Sequence, residues 1–84
     1  MSIITAQAAF QEGVGRMAKV LSGRMRFNGS EQVFNFRFNV QVPGETMLRE
    51  YEFNVPRDHN QDEVIKGWGR KAAAKLQSEK GEAA

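Results

Sequence analysis

The sequence predicts an α+β domain in the chain order α-β-β-β-α, a three-stranded antiparallel meander with a C-terminal helix packed on one face. Three observations predict it. The stretch Gln32 to Val42 alternates Phe34, Phe36, Phe38, Val40 and Val42 with Val33, Asn35, Arg37, Asn39 and Gln41, the period of two that belongs to a strand with one buried and one wet face. Turn chemistry brackets that stretch, Asn28-Gly29 before it and Pro43-Gly44 after it. Beyond Pro56, the residues Val64, Ile65, Trp68, Ala72 and Leu76 recur at helical spacing and form one apolar stripe. With 84 residues the chain can enclose one core, so residues 1–77 are expected to form a single domain floored by the phenylalanine ridge. Residues 78–84, charged and small, are expected to fray.

Composition narrows the class. The chain has no cysteine, which removes disulfides and thiolate metal sites as sources of stability and fits a reducing cytoplasm. No apolar run approaches the roughly 20 residues of a membrane helix, and Met1 to Thr5 lacks the basic and apolar regions of a signal peptide. A soluble, cytoplasmic protein without a membrane partner is therefore expected. The net charge is +2, but it is unevenly placed. Arg16, Lys19, Arg24, Arg26 and Arg37 face a single acid, Glu31, over residues 14–43, and such a patch suits nucleic acid or an acidic protein surface.

Taken in order, Ser2 to Glu12 reads as a short helix over residues 5–12, with Thr5 as N-cap and Gly13 and Gly15 as stop signals. Helices this short need docking, which Phe10 and the isoleucines can supply. Residues 17–27 form the first strand, with Leu21, Gly23, Met25 and Phe27 inward and Ser22, Arg24 and Arg26 outward. Gly23 within it points to a bulge or to close approach of another backbone, such as the last helix. Asn28-Gly29 supplies the φ > 0 residues of a tight hairpin, and if Phe27 opposes Gln32, then Met25 meets Phe34 and Gly23 meets Phe36, apolar against apolar. The third strand, residues 47–55, buries Tyr51, Phe53 and Val55, and Arg49 falls on that same side near the turn, where it is expected to snorkel past the end of the sheet. Asn60-Gln61-Asp62-Glu63 is a capping-box pattern opening the last helix. Gly67 and Gly69 cost that helix about 1 kcal/mol each, a cost that close approach to the sheet beside Trp68, or a kink, would explain.

Catalytic chemistry finds little support in the residues. His59 is the only histidine and sits beside Asp58 in a linker, with no cysteine to pair with. Glu50 and Glu52 have carboxylate spacing suited to acid/base work, but Arg37 is expected across from one of them as a cross-strand ion pair. No ligand cluster has recognisable metal spacing, and Gly13-Val-Gly15 and Gly67-Trp-Gly69 lack the strand-glycine-helix context of a phosphate loop. No enzyme, cofactor or metal is expected.

The solvent side of the sheet is richer. It gathers Arg24 and Arg26 from the first strand, Asn35, Arg37, Asn39 and Gln41 from the second, and Glu50, Glu52 and Asn54 from the third. Arginine and amide side chains match guanine and adenine edges in the major groove, which a slender sheet can enter. In outline this arrangement is similar to plant ethylene-response-factor DNA-binding domains and to the N-terminal domains of transposon integrases, which read DNA with a three-stranded sheet backed by a helix. That resemblance implies duplex DNA as the ligand. A polar outer face is also what any two-layer α/β domain presents to water.

The chain order, together with Arg70-Lys71-Ala72-Ala73-Ala74-Lys75-Leu76 in the last helix, also looks like a double-stranded RNA-binding domain, whose final helix carries a basic, alanine-rich segment. This chain departs from that pattern. Asp62 and Glu63 make the first helical turn acidic, Asn28 to Glu31 lacks a Gly-Pro-x-His loop, and Lys66 and Lys75 can be neutralised at i, i+4 by Asp62 and Glu79. Arg70 and Lys71 are left as the free basic pair of the helix.

The sequence thus predicts a small non-enzymatic binding module that uses Lys19, Arg24, Arg26, Asn35, Arg37, Asn39, Arg70 and Lys71. Duplex DNA is favoured over RNA, given the departures from the RNA-binding pattern, and over single strands, because nearly every aromatic ring is assigned to the core and few remain to stack on bases. The alternative is a small protein of phage or mobile-element type that binds and modulates or inhibits a host protein, its basic patch facing an acidic surface of that partner. An edge strand would also allow a homodimer.

Overall fold

The computed structural model describes residues 2–83, and side chains up to Gly81; Ala84, the end of the expected frayed tail, lies outside the described residues. The elements are α1 (Ile3–Val14), a 3-10 turn (Gly15–Met17), β1 (Lys19–Asn28), β2 (Val33–Gln41), β3 (Arg49–Pro56) and α2 (Gln61–Ala83). The strands form one antiparallel sheet in the order β1-β2-β3. The α-β-β-β-α order and the meander are those the sequence predicts. No helix among the described residues is long and apolar enough to cross a membrane.

Both helices cover the phenylalanine side of the sheet. Across that face run the cross-strand rows Gly23–Phe38–Tyr51, Met25–Phe36–Phe53 and Phe27–Phe34–Val55. Phe36, Phe38, Val40 and Val55 are completely buried there, together with Phe10 of α1 and Ile65 of α2. Phe10 is the hub. Its ring stacks on Phe38 at 4.7 Å between centroids and on Phe53 at 5.6 Å, and meets Tyr51 at 5.9 Å. Phe10 thus docks the helix as the sequence predicts and makes it a central member of the core, whereas Ile4, expected to help, is exposed.

Its boundaries differ from the expected 5–12. Ser2, not Thr5, is the N-cap, its hydroxyl accepting the Thr5 N–H at 3.2 Å. Gly13 does not stop the helix; Gly15 does, at φ 64°. Gly13 is tolerated inside α1 because a Cβ there would lie 2.3 Å from the Lys66 carbonyl oxygen and 2.9 Å from Gly69 Cα, while one on Gly69 would lie 2.6 Å from the Phe10 carbonyl oxygen. The two glycines let α1 and α2 cross with their backbones nearly touching. Gly69 thus serves approach to α1 rather than to the sheet, and nothing lies within 4 Å of a Cβ placed on Gly67.

The strands correct the expected register by two residues. Phe27 opposes Phe34, Met25 opposes Phe36 and Gly23 opposes Phe38, because Asn28 still pairs, with Val33, and the four-residue connection is Gly29 to Gln32, one position later than the expected register places it. Asn28 belongs to β1, and its Oδ1 accepts the N–H groups of Ser30 and Glu31 at 3.0 and 3.2 Å; Gln32 takes the positive φ, 55°. A shift of two leaves the side chains from Ser22 to Phe27 on their expected faces. Leu21, expected inward, is instead the extra residue of a bulge between Val20 and Ser22 and is exposed. The empty space at Gly23 is taken by the Phe38 ring, 2.6 Å from where its Cβ would be, and not by a backbone.

At the second turn Glu45 N–H donates to Val42 O at 3.0 Å, with Gly44 at φ 89°, the type II geometry that Pro43-Gly44 favours. β3 begins only at Arg49, which leaves Met47 outside the strand and 79% exposed. Arg49 snorkels as expected. It makes two hydrogen bonds to Glu45, at 2.9 and 2.7 Å, and an ion pair of 2.8 Å to Glu79. Glu79 is therefore bonded to Arg49 and not to Lys75, and α2, expected to fray after Gln77, stays helical to Ala83. At the other end Asn60 Oδ1 accepts the Glu63 N–H at 3.3 Å, as the capping pattern predicts. Trp68 stacks on Phe53 at 5.3 Å but lies at the rim, 37% exposed.

Candidate nucleic-acid interface

Alternation carries the polar residues to the face opposite the helices, where they stand in three rows: Ser22–Asn39–Glu50, Arg24–Arg37–Glu52 and Arg26–Asn35–Asn54. Lys19 stands at the start of β1, opposite Gln41. Each row begins on β1 and ends on β3, so the face is electrically polarised. The β1 side is basic, the β3 side carries Glu50 and Glu52, and β2 lies between.

Most of the central strand is already engaged. Arg37 Nε donates to Glu52 Oε2 at 2.6 Å, the cross-strand ion pair that the sequence predicts. Asn35 Nδ2 donates to Asn54 Oδ1 at 3.0 Å, and Asn39 Nδ2 to Ser22 Oγ at 3.3 Å. Gln41 turns away, its amide donating to the carbonyls of Val42 and Glu45 at 3.2 and 2.7 Å. On β1 the situation is reversed. Lys19, Arg24 and Arg26 are exposed and have no acidic partner among the described residues. An open groove of about 490 Å³ runs along this margin, lined by Arg24, Arg26, Asn35 and Arg37 from the outer face and by Ile3, Gly23 and Met25 at the edge.

Arg70 and Lys71 do not join this group. They are on α2, in the other layer, where Lys71 Nζ stands 4.7 Å above the Trp68 ring. The nearby Lys66 is neutralised by Asp62 at 3.0 Å and Glu12 at 3.5 Å, and its hydrogen bond to Asp62 raises its pKa. Of the eight residues singled out from sequence, six therefore share the outer sheet face and two lie on the helical side.

The ion pair sets a pH dependence. The hydrogen bond and charge of Arg37 hold the Glu52 carboxyl below the usual carboxylate range, and Arg49 does the same for Glu45. Because their folded values are depressed, the stability these carboxylates add is present above the unfolded value of about 4.3 and is lost as pH falls through the folded values. Both pairs are partly hydrated, so salt weakens them. Carboxyl NMR titration is expected to find Glu52 protonating below the ordinary range, and Arg37→Met is expected to raise Glu52 toward that range while leaving Glu45 depressed. An ordinary value for Glu52 in the unaltered protein would contradict this ion pair.

The fold and the face define a two-layer α-β-β-β-α domain with a polarised outer sheet. Compared with protein-family models, curated proteins and solved structures, the chain matches none.

Proposed function

We propose that this protein is a non-enzymatic binding module for duplex nucleic acid, DNA in the first place, engaged through the basic β1 margin of the outer sheet face. The observation that carries this reading is the trio Lys19, Arg24 and Arg26, three exposed cations on one side of one strand without acidic partners among the described residues. Arg37 lies next to them but shares its charge with Glu52. The amides of Asn35 and Asn39, which would read base edges, already hydrogen-bond within the sheet. The binding mode that follows is contact with the phosphate backbone, with little discrimination among sequences.

That mode has a quantitative signature. Three phosphate contacts give a slope of about −2.7 for log K against log salt on duplex DNA. Fluorescence anisotropy with two duplexes of unrelated sequence is expected to return similar affinities and this slope. Arg24→Ala with Arg26→Ala is expected to weaken binding to both duplexes alike and to flatten the slope by about 2. Both side chains are exposed, so the variant should keep its fold. A variant that binds as tightly as the parent, or a parent that does not bind at low salt, would overturn the proposal.

A further inference from the structure

β1 is an edge strand, and only its first part is covered. Gln11 of α1 accepts the Val20 N–H on Oε1 at 2.8 Å and donates from Nε2 to the Ala18 carbonyl at 3.0 Å. One amide side chain thereby supplies the donor and acceptor that a neighbouring strand would offer to residues 18–20. From Ser22 onward no such cover exists among the described residues. Since the Val20 N–H points away from β2, and the register runs Val20 to Val40 and Ser22 to Asn39 across the bulge, alternation along an antiparallel ladder turns the backbone groups of Gly23, Met25 and Phe27 toward the open edge. Arg24 and Arg26 stand between them on the outer face. Met25 and Phe27, 37% and 44% exposed, stand on the inner face, only partly covered there.

We infer that the β1 edge from Gly23 to Phe27 is a strand-addition site for an extended acidic segment of a partner protein. Its backbone would pair with Gly23, Met25 and Phe27, its carboxylates at alternate positions would meet Arg24 and Arg26, and its intervening apolar side chains would cover Met25 and Phe27. The 490 Å³ groove straddles this edge, touching both arginines and Ile3 and Met25. Charge selects the occupant. β1 carries Lys19, Arg24 and Arg26 and no acid, so pairing with β1 of a second copy would place only cations against cations, which destabilises a strand pair. This argues against the homodimer through this edge. β3 of a second copy offers Glu50 and Glu52, but Glu52 already bonds Arg37, and head-to-tail pairing of β1 with β3 would grow an open chain instead of a closed dimer. The inference goes beyond nucleic-acid binding and does not depend on it, although an acidic strand would lie over the same arginines.

The test is amide hydrogen exchange by NMR on the full chain, with and without a nine-residue peptide alternating glutamate and valine. Protection gained by tenfold or more at Gly23, Met25 and Phe27, with Arg24 and Arg26 little changed because they already bond β2, is the expected result. Met25→Pro removes an outward N–H at a position an edge strand tolerates and is expected to abolish peptide binding, whereas Met25→Ala is expected to retain most of it. Peptide-induced shifts at the arginines without new backbone protection would mean charge attraction alone and overturn the inference, as would absence of binding at millimolar peptide. Concentration-dependent protection of Gly23, Met25 and Phe27 together with Glu50 and Glu52, without peptide, would assign the edge to a second copy and overturn it too. None of these readouts involves nucleic acid, so they stand or fall apart from the duplex titrations.

Discussion

Phe10→Ala is expected to destabilise the domain by about 3–5 kcal/mol, the usual cost of removing a fully buried phenylalanine. Phe10 has no exposed surface and touches the rings of Phe38, Tyr51 and Phe53, so the loss combines burial, aromatic contacts and a cavity at the junction of α1 with the sheet. A chain of 84 residues has a total stability of roughly 4–13 kcal/mol, and the substitution would consume a large share of it. The melting temperature should fall by more than about 12 °C. Phe27→Ala provides the contrast. Phe27 is half exposed at the hairpin end and meets only Phe34 among the rings, at 4.9 Å, so its loss should cost roughly 1 kcal/mol. Equal effects of the two substitutions in thermal and urea unfolding would remove Phe10 from its place at the centre of the core.

Two neighbouring glycines are expected to respond to alanine with opposite signs. In an isolated helix alanine is favoured over glycine by about 1 kcal/mol, and Gly67, with nothing within 4 Å of its would-be Cβ, should gain roughly 0.5–1 kcal/mol from Gly67→Ala. Gly69→Ala should lose about 1–3 kcal/mol or more. Its Cβ would lie 2.6 Å from the Phe10 carbonyl oxygen, 2.8 Å from Gly13 Cα and 2.9 Å from Val14 N. All three are backbone atoms, which cannot rotate aside as the end of a side chain can, so the helices would have to part and draw Phe10 out of its stack. Urea unfolding followed by circular dichroism measures both, and a stabilising Gly69→Ala would contradict the close crossing of α1 and α2.

These substitutions also mark where the sequence was legible. Alternation from Phe34 to Val40 and the stripe Ile65, Ala72 and Leu76 are one-dimensional patterns, and the faces they assign are those the structure has. The Arg37–Glu52 pair was readable because cross-strand neighbours follow from strand and turn lengths, and it survived an error of two residues in the other hairpin. What escaped depends on contacts between distant segments. Nothing local to Gly13 or Gly69 says that they meet, and nothing local to Gln11 says that its amide caps the start of β1. The Leu21 bulge was hidden because an extra residue in an edge strand leaves no break in composition. For the candidate site, the face was legible but its internal bonding was not. Polarity put Asn35 and Asn39 outward, whereas their hydrogen bonds to Asn54 and Ser22 depend on exact register, and these bonds shift the weight of the site from the sheet centre to Lys19, Arg24 and Arg26.

The measurement that tests this account most directly is a backbone amide NMR titration of the full chain with a mixed-sequence DNA duplex at low salt. Shifts concentrated at residues 19–26 and at Arg37, reversed by added salt, with Arg70 and Lys71 unmoved, are the result the β1 margin predicts. Shifts centred on Arg70 and Lys71 would move the interface to the helical side, and no shifts at all would leave the basic margin without a role in nucleic-acid binding.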